Sequence, residues 1–501
     1  MKKLCILPFE TMKGNKYVFD GNTATVLPVD DILMDCILAF EQEDRNLIRN
    51  KLCSKYDNHS NVEIAMKFVE NFIQDKGAFY RDEQYKISER KWINNFDGQS
   101  VQAALEQAGF MEQIVLNVTE DCNLRCRYCF LSETYEHTRN RTGNVMKEGV
   151  AFQALDYFFD KMRKIVEYNP GKMCAITFYG GEPLLNFSLI KKCIEYTKEN
   201  CPIPFIFNLT TNGILLKEDI ADYLVNNGVF ISVSFDGTKE NHDRNRITPN
   251  ETGSYAIVYK NLIKFKQKYP DYIRINLLCV FDYKTDLLQN EAFFKQENLP
   301  RISFINQVLS ENTDYYKQFS QEDIEEFQKK YIQMLKQFFE NKKMGKIPGS
   351  YADMLFETSL ALVLCRGRKE DKRLPILPFT NTCLPGTKIS VRTDGTFDMC
   401  EKIDYHFPIG NVYEGLNYEG IAEIIKKYNH AVTGGCHDCP ISKICTTCFA
   451  HCSDKDGFKV ADCENQIRIF EFQLSLIYSL FEENPHVFDY FENKVEWTFH
   501  L

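Results

Sequence analysis

The alternation of apolar and polar positions divides the chain before any single residue is weighed. KYVFDGNTATVL, residues 16–27, sets two β-prone runs on either side of Asp20-Gly21-Asn22, which predicts a hairpin. Asp30 and Asp31 then precede an apolar run through Leu38 and read as the start of a capped helix, with further helical stretches near 43–56 and 60–76. GAFYRDEQYKI, residues 77–87, returns to strand character. A hairpin followed by three helices makes a module over residues 1–95, an ordinary domain size.

From Gln113 the pattern changes. QIVLNVT, MCAITFYG, PFIFNLTT, FISVSFDG, IRINLLCV and RISFINQV read as short apolar strands, separated by helical runs such as KEGVAFQALDYFFDKMRKI and SYAIVYKNLIKFKQKY. Six strands alternating with helices predict an α/β fold with a parallel sheet and right-handed crossovers. An open or partial (β/α)6 barrel over residues 108–312 is the natural closure, with its chemistry at the C-terminal strand ends. A helical bridge follows over 313–380: Ser320 and Asp323 make a capping box, and Ile324, Phe327, Tyr331, Met334 and Phe338 share one face. Residues 366–380, charged and then proline-bearing, read as a linker. A cysteine-dense segment over 381–465 comes next, and then a helix and tail over 466–501, in which Phe470, Leu474, Ile477 and Phe481 form a packing stripe.

Composition narrows the function classes. At 501 residues the chain exceeds what one core supports, and 44% apolar content is ordinary for a globular protein. With 60 basic against 70 acidic residues it lacks the footprint of a nucleic-acid binder. Leu474–Phe481 is too short to span a bilayer, so no membrane partner is expected. MKKLCILPFE has no small-residue cleavage pattern, and a cytoplasmic location follows as the expectation. There thiols stay reduced, so 19 cysteines need a reading other than disulfides. Cys5, Cys36, Cys53, Cys174, Cys193, Cys201, Cys279 and Cys365 lie among apolar neighbours and read as small core residues. The other eleven fall into two groups.

The first group, Cys122-Asn-Leu-Arg-Cys126-Arg-Tyr-Cys129, follows QIVLNVT directly. Three thiolates on one loop can hold three corners of a cubane cluster and leave the fourth iron open. An open iron can take the amino and carboxylate groups of S-adenosylmethionine (SAM) and pass an electron to its sulfonium. Structural zinc is the alternative, but it asks for a fourth Cys or His that the loop lacks. Tyr179-Gly180-Gly181-Glu182-Pro183 ends the second strand, Thr210-Thr211-Asn212-Gly213 the third, and Ser232 to Gly237 the fourth, with His242, Asp243 and Arg246 beyond. In this order the motifs resemble the radical SAM superfamily over roughly residues 113–310.

That resemblance implies roles for particular residues. Gly180, Gly181 and Glu182 would meet the SAM amino group, since glycines allow close approach and a carboxylate accepts from an ammonium. Thr210 and Asn212 border the same site, Ser234 and Asp236 would contact the ribose, Arg246 the carboxylate, and Tyr128 the adenine. A surface ion pair is the alternative for Arg246.

The second group runs Cys383, Cys400, Cys436, Cys439, Cys445, Cys448, Cys452 and Cys463, with Gly395 five residues before Cys400. It resembles the SPASM domain, the auxiliary-cluster extension of radical SAM enzymes that modify peptides and proteins. It departs from that pattern where Phe449 stands at an expected cysteine, flanked by Cys448 and Cys452. By the resemblance Cys436, Cys439, Cys445 and Cys463 hold a distal 4Fe-4S cluster. Cys383, Cys400 and one or both of Cys448 and Cys452 hold a nearer one, with His451 and Cys365 as reserves. A pair of zinc sites is the alternative.

The N-terminal module resembles a RiPP recognition element, a winged-helix-like domain that captures the leader of a precursor peptide by β-augmentation; a structural cap is the alternative. Together these resemblances imply a peptide maturase that cleaves SAM to a 5′-deoxyadenosyl radical and forms cysteine thioether crosslinks. An external donor such as flavodoxin or ferredoxin would supply the electron. A sulfatase-maturating, formylglycine-forming enzyme is the alternative of the same architecture, with Glu401 at that family's proton-accepting position unless it is a solvated carboxylate. An iron–sulfur electron carrier is the non-enzymatic alternative.

Overall fold

The computed structural model describes residues 3–40, 44–81, 96–132, 134–135, 139–308, 313–346, 349–364, 380, 382–432, 436, 439–442, 444–454, 457–459 and 462–491. Strands β1 (Lys3–Leu4), β2 (Ile6–Glu10), β3 (Lys16–Asp20) and β4 (Val26–Pro28) lead into helices α1 (Asp31–Ala39), α2 (Arg45–Lys55) and α3 (His59–Lys76). Strand β5 (Tyr80–Arg81) then returns to pair with β1. The expected hairpin joins β3 to β4, and β2 adds a third antiparallel strand beyond β3. The rest of the predicted 77–87 strand, most of the 366–380 linker, and Cys365 lie outside the described residues.

Buried Asp20 shapes the hairpin turn. Its carboxylate accepts from the N–H groups of Thr23 at 3.0 Å and Phe79 at 2.8 Å, which ties the turn to the far end of the module. Asp30 caps α1 by accepting from the Leu33 N–H at 2.7 Å. One face of the sheet carries Val18 into a core with Ile37, Ile48, Val62 and Val69. The other face meets the predicted packing helix, which runs Cys463–Glu483: Phe19 meets Phe470 edge-on at 5.1 Å and Phe9 meets Tyr478 at 5.6 Å.

All six predicted core strands form. They are β6 (Gln113–Thr119), β7 (Cys174–Gly180), β8 (Phe205–Thr211), β9 (Phe230–Ser234), β10 (Ile275–Phe281) and β11 (Ile302–Gln307), each parallel to the next. Ile114, Leu116, Ile176 and Phe178 point into the apolar core with the helix Glu148–Tyr168. The opposite face is polar: Thr177 Oγ1 accepts from Gln113 Nε2 at 2.7 Å and from Asn208 Nδ2 at 3.3 Å.

The sheet does not end at β6. Strand β12 (Lys388–Val391) lies parallel to β6, and β13 (Thr396–Asp398), β14 (Pro408–Asn411) and β15 (Gly415–Leu416) continue it antiparallel, to ten strands. The cysteine-dense segment therefore shares a sheet with the six parallel strands. An open β6 edge needs a partner, and Asn117 fastens it by donating to Ser390 Oγ and to the Val391 carbonyl, both at 2.9 Å. The bridging helix Gln321–Lys343 starts with the expected box: Asp323 N–H donates to Ser320 Oγ at 3.2 Å, and Ser320 N–H donates back at 2.9 Å. Among the described residues no helix is long and apolar enough to cross a membrane.

Candidate functional site

Strand β6 delivers the chain to the first cysteine loop at the C-terminal edge of the sheet. The Cys129 N–H donates to the Cys126 carbonyl at 3.0 Å and closes the turn, while the N–H groups of Arg125 and Arg127 donate to Ile247 and Asn245 at 2.6 and 3.0 Å. Burial pushes the thiols of Cys122 and Cys126 up to about 12 and that of Cys129 to about 11. Each also feels another thiol of the loop, so the three converge on one desolvated space. Among the described residues no three His, Cys, Asp or Glu side chains gather tightly enough for a single ion. The loop offers three thiol donors without a fourth, which suits three corners of a cluster whose last iron is left open.

The Gly-Gly-Glu turn braces this loop from below. Gly181 and Glu182 donate their N–H groups to the carbonyls of Thr119 and Asp121, both at 2.9 Å. A Cβ on Gly180 would lie 2.1 Å from the Thr119 oxygen, and one on Gly181 equally close to that of Asp121. The glycines thus serve an approach to the backbone that enters the cysteine loop. Glu182 is fully buried and its carboxylate is engaged within the chain. Oε1 accepts from Thr211 Oγ1 at 2.7 Å and from the Leu184 N–H at 3.1 Å, and Oε2 from the Asn212 N–H at 2.7 Å. Burial raises its pKa to about 7, against the pull of those three donors. Asn212 carries the connection back to the loop, its Nδ2 donating to Asn123 Oδ1 at 2.7 Å and lying 3.7 Å from Cys122 Sγ.

Asp236 and Arg246 are held chiefly by one another. Arg246 Nε and Nη2 donate to the two Asp236 oxygens at 2.8 and 3.2 Å, and both residues are buried. Tyr128 OH and the Val280 N–H add donors to the same carboxylate at 2.9 and 3.1 Å. The Arg246 guanidinium lies 5.4 Å from the Tyr128 ring centre and beside Cys126. Of the alternatives for Arg246, the ion pair is present, buried and not at the surface. Thr210 and Ser234 stand half-buried at the neighbouring strand ends.

The second cysteine group also sorts itself by neighbourhood. Burial raises Cys383 and Cys400, and each lies within electrostatic reach of Lys388, Glu401 and Cys448. Cys439 is likewise raised by burial and faces Cys445 and Cys463. Cys452 faces Cys448, Cys445 and Cys463, and Cys436 is buried with its thiol donating to the Val432 carbonyl at 3.1 Å. Cys448 is held below its ordinary value because His451 outweighs its burial.

Glu401 sits beside Lys388, with Oε2 and Nζ 2.8 Å apart. Burial works upward on this carboxyl, but Lys388 outweighs it and keeps Glu401 below the usual range. It is not a solvated surface carboxylate. Tyr179 is raised by burial and lies within electrostatic reach of Glu401, Cys129, Arg139 and Cys400, which puts its phenol near a cysteine of each group. Arg139 joins the segments: it donates to Asp398 at 2.7 Å, to the Ile403 carbonyl at 2.6 Å and to the Cys400 carbonyl at 3.1 Å. No sequence spacing marked Lys388 or Arg139. Tyr179 carried a signal only as the residue before the glycines.

Residues 116–286 match the family model of the Radical SAM superfamily. The radical SAM cyclopropyl synthase TigE of Paramaledivibacter caminithermalis is 27% identical over 278 residues, 54% of this chain and 55% of that protein. A cysteine-type anaerobic sulfatase-maturating enzyme of Clostridium novyi is 28% identical over 200 residues, 39% of this chain and 50% of that protein. The chain thus spans about half the length of these relatives. A solved structure of anSMEcpe with bound AdoMet shares the fold, with a TM-score of 0.59 at 20% identity over 77% of this chain and 98% of that one. The three-thiol loop, the turn beneath it and the parallel strands that carry both therefore form a radical SAM domain, in a chain whose relatives include enzymes that mature sulfatases.

Proposed function

We propose that this protein is a radical SAM maturase that holds a precursor peptide by its N-terminal module and joins a cysteine sulfur of that peptide to a carbon. The observation that carries this reading is one end of one sheet bearing three half-buried thiols, the turn that braces them, and a second thiol group near Tyr179. Cys122, Cys126 and Cys129 would hold a 4Fe-4S cluster, which when bound with SAM supplies the electron that releases a 5′-deoxyadenosyl radical for hydrogen abstraction. Everything else falls to the chain. Tyr128, stacked under Arg246, offers a flat wall for adenine, and Thr210 and Ser234 offer hydroxyls at the strand ends for the ribose. Glu182 fixes the ends of β7 and β8, and its Oε2, which accepts from the Asn212 N–H, keeps a lone pair for an ammonium.

Two auxiliary clusters fit the remaining thiols. Cys383, Cys400 and Cys448 form the nearer set, Cys436, Cys439, Cys445 and Cys463 the distal one, and Cys452 lies between them. Glu401, held ionised by Lys388 through Oε2, keeps Oε1 to accept a substrate proton. The peptide would dock in the cleft between β4 and α3, about 470 Å³ and lined by Lys16, Asp30, Ile32, Leu33, Ile64 and Phe68. Strand β4 is an edge strand, so an extended leader can pair with it while its alternate side chains face α3. A small donor of the flavodoxin or ferredoxin type would supply electrons.

A second reading has its own support: the buried Glu401 after Cys400 and the likeness to cysteine-type sulfatase-maturating enzymes favour formylglycine formation on a sulfatase. Mass spectrometry separates the two. Incubation with the cognate peptide, a reductant and SAM should remove two hydrogens per crosslink and retain sulfur. Loss of the cysteine sulfur, with an aldehyde in its place, would overturn the crosslinking reading in favour of the other.

A further inference from the structure

Arg81 closes the N-terminal module and is almost fully buried, 2% exposed. Its guanidinium bridges two parts of the chain. Nε donates to Asn22 Oδ1 at 2.9 Å and Nη2 to the Gly21 carbonyl at 3.3 Å, both in the hairpin turn. Nη1 donates to the Cys436 carbonyl at 3.2 Å and Nη2 to Ser442 Oγ at 3.1 Å, both in the distal cysteine segment. The contact is tight on either side. Cys5 Sγ reaches the Cys439 carbonyl at 3.7 Å, and a Cβ on Gly21 would lie 2.5 Å from the Pro440 oxygen. Gly21 is therefore needed for this docking: its φ lies outside the left-handed region, where Ala24 at +56° instead makes the turn.

The acceptors on the cysteine side are Cys436, Cys439 and Ser442, with Pro440 packed between them against Gly21, in the same short stretch that carries two of the distal thiols. A loop of this kind takes its shape from the metal it binds. We propose that Arg81 locks the N-terminal module onto the distal cysteine loop, so that iron loading of the loop and the order of the hairpin turn beside it are coupled. The inference rests on the auxiliary-cluster reading above. Loss of iron relaxes the Cys436 carbonyl and the Ser442 hydroxyl that Arg81 holds and frees the hairpin turn. Coupling between two sites is reciprocal, so loosening the module must also loosen the iron. The module keeps its second anchor on the Cys463–Glu483 helix, which confines the change to the turn and the loop.

The test uses full-length protein, reconstituted anaerobically and assayed for iron. Hydrogen exchange is followed in peptides covering Gly21–Asn22 and Tyr80–Arg81, before and after iron removal by a strong chelator. Iron loss to that chelator is timed in wild type, Arg81→Gln and the milder Ser442→Ala. Iron removal should speed exchange at the turn, and both variants should speed iron loss, by roughly 5- to 150-fold for ordinary coupling energies. Protein holding about twelve irons, with exchange and iron loss unchanged, would overturn the coupling alone. Protein that takes up only about four to eight irons, with the Cys436–Cys463 set unfilled, would overturn it together with the two-auxiliary-cluster reading.

Discussion

A side chain on Gly181 would overlap the Asp121 carbonyl oxygen, which lies where its Cβ belongs. Gly181→Ala must push the cysteine loop off its brace, at a cost of roughly 1–3 kcal/mol. The expected outcome is a lower urea midpoint and less iron retained at the first loop; an unchanged midpoint would mean that the loop yields freely. His242 makes a second prediction. It is fully buried, its Nε2 lies 2.9 Å from Ser254 Oγ, and the Asp236 N–H donates toward Nδ1 at 3.4 Å. Burial lowers its pKa from 6.5 to about 4, with Arg246 pulling the same way and Asp236 and Asp243 opposing. As pH falls the unfolded chain takes up this proton first, so the stability His242 confers is complete above pH 6.5 and lost on the way to pH 4. The full effect is about 3 kcal/mol. Melting curves of His242→Gln across that window should fall less steeply than those of wild type.

Local elements were legible where their signals are local. The Asp30 cap, the Ser320 and Asp323 box and the six core strands stand where apolar spacing and capping residues put them. Strand β2 escaped because Pro8 argues against a strand. The structure places it at a sheet edge, where a missing N–H is tolerated. The pairing of β12 with β6 was equally hidden, since Lys388 meets Gln113 across most of the chain and no short-range pattern reports it. Asn117→Ala tests that junction: it removes the donor to Ser390 and Val391 and should cost roughly 1–3 kcal/mol in urea unfolding. At the cleft, Ile64 and Phe68 are 65% and 40% exposed, so changing them to Asp and Ser should leave the melting temperature intact. Binding of a fluorescent leader peptide should nevertheless weaken by roughly tenfold or more, about 1.4 kcal/mol. Undiminished binding would return the module to the role of a structural cap.

On the scale of the whole molecule, the candidate site was read from cysteine spacing and from the turn that ends β7. Both are contiguous in sequence. Arg139 and Tyr179 were not assigned there, because they acquire meaning only when the sheet brings residues more than two hundred positions apart to one edge, and Lys388 was missed although its partner Glu401 lies in the same segment. Phe449 stands where the pattern expects a cysteine, and of the two cysteines that flank it Cys448 lies within electrostatic reach of Cys383 and Cys400.

Reductive cleavage of SAM is the event on which each of these roles depends. Anaerobic, reconstituted protein should release 5′-deoxyadenosine when given SAM and a strong reductant. The triple variant Cys122→Ala, Cys126→Ala, Cys129→Ala should release none while retaining iron elsewhere. Release at the wild-type rate by that variant, or none by the wild type itself, would contradict the account.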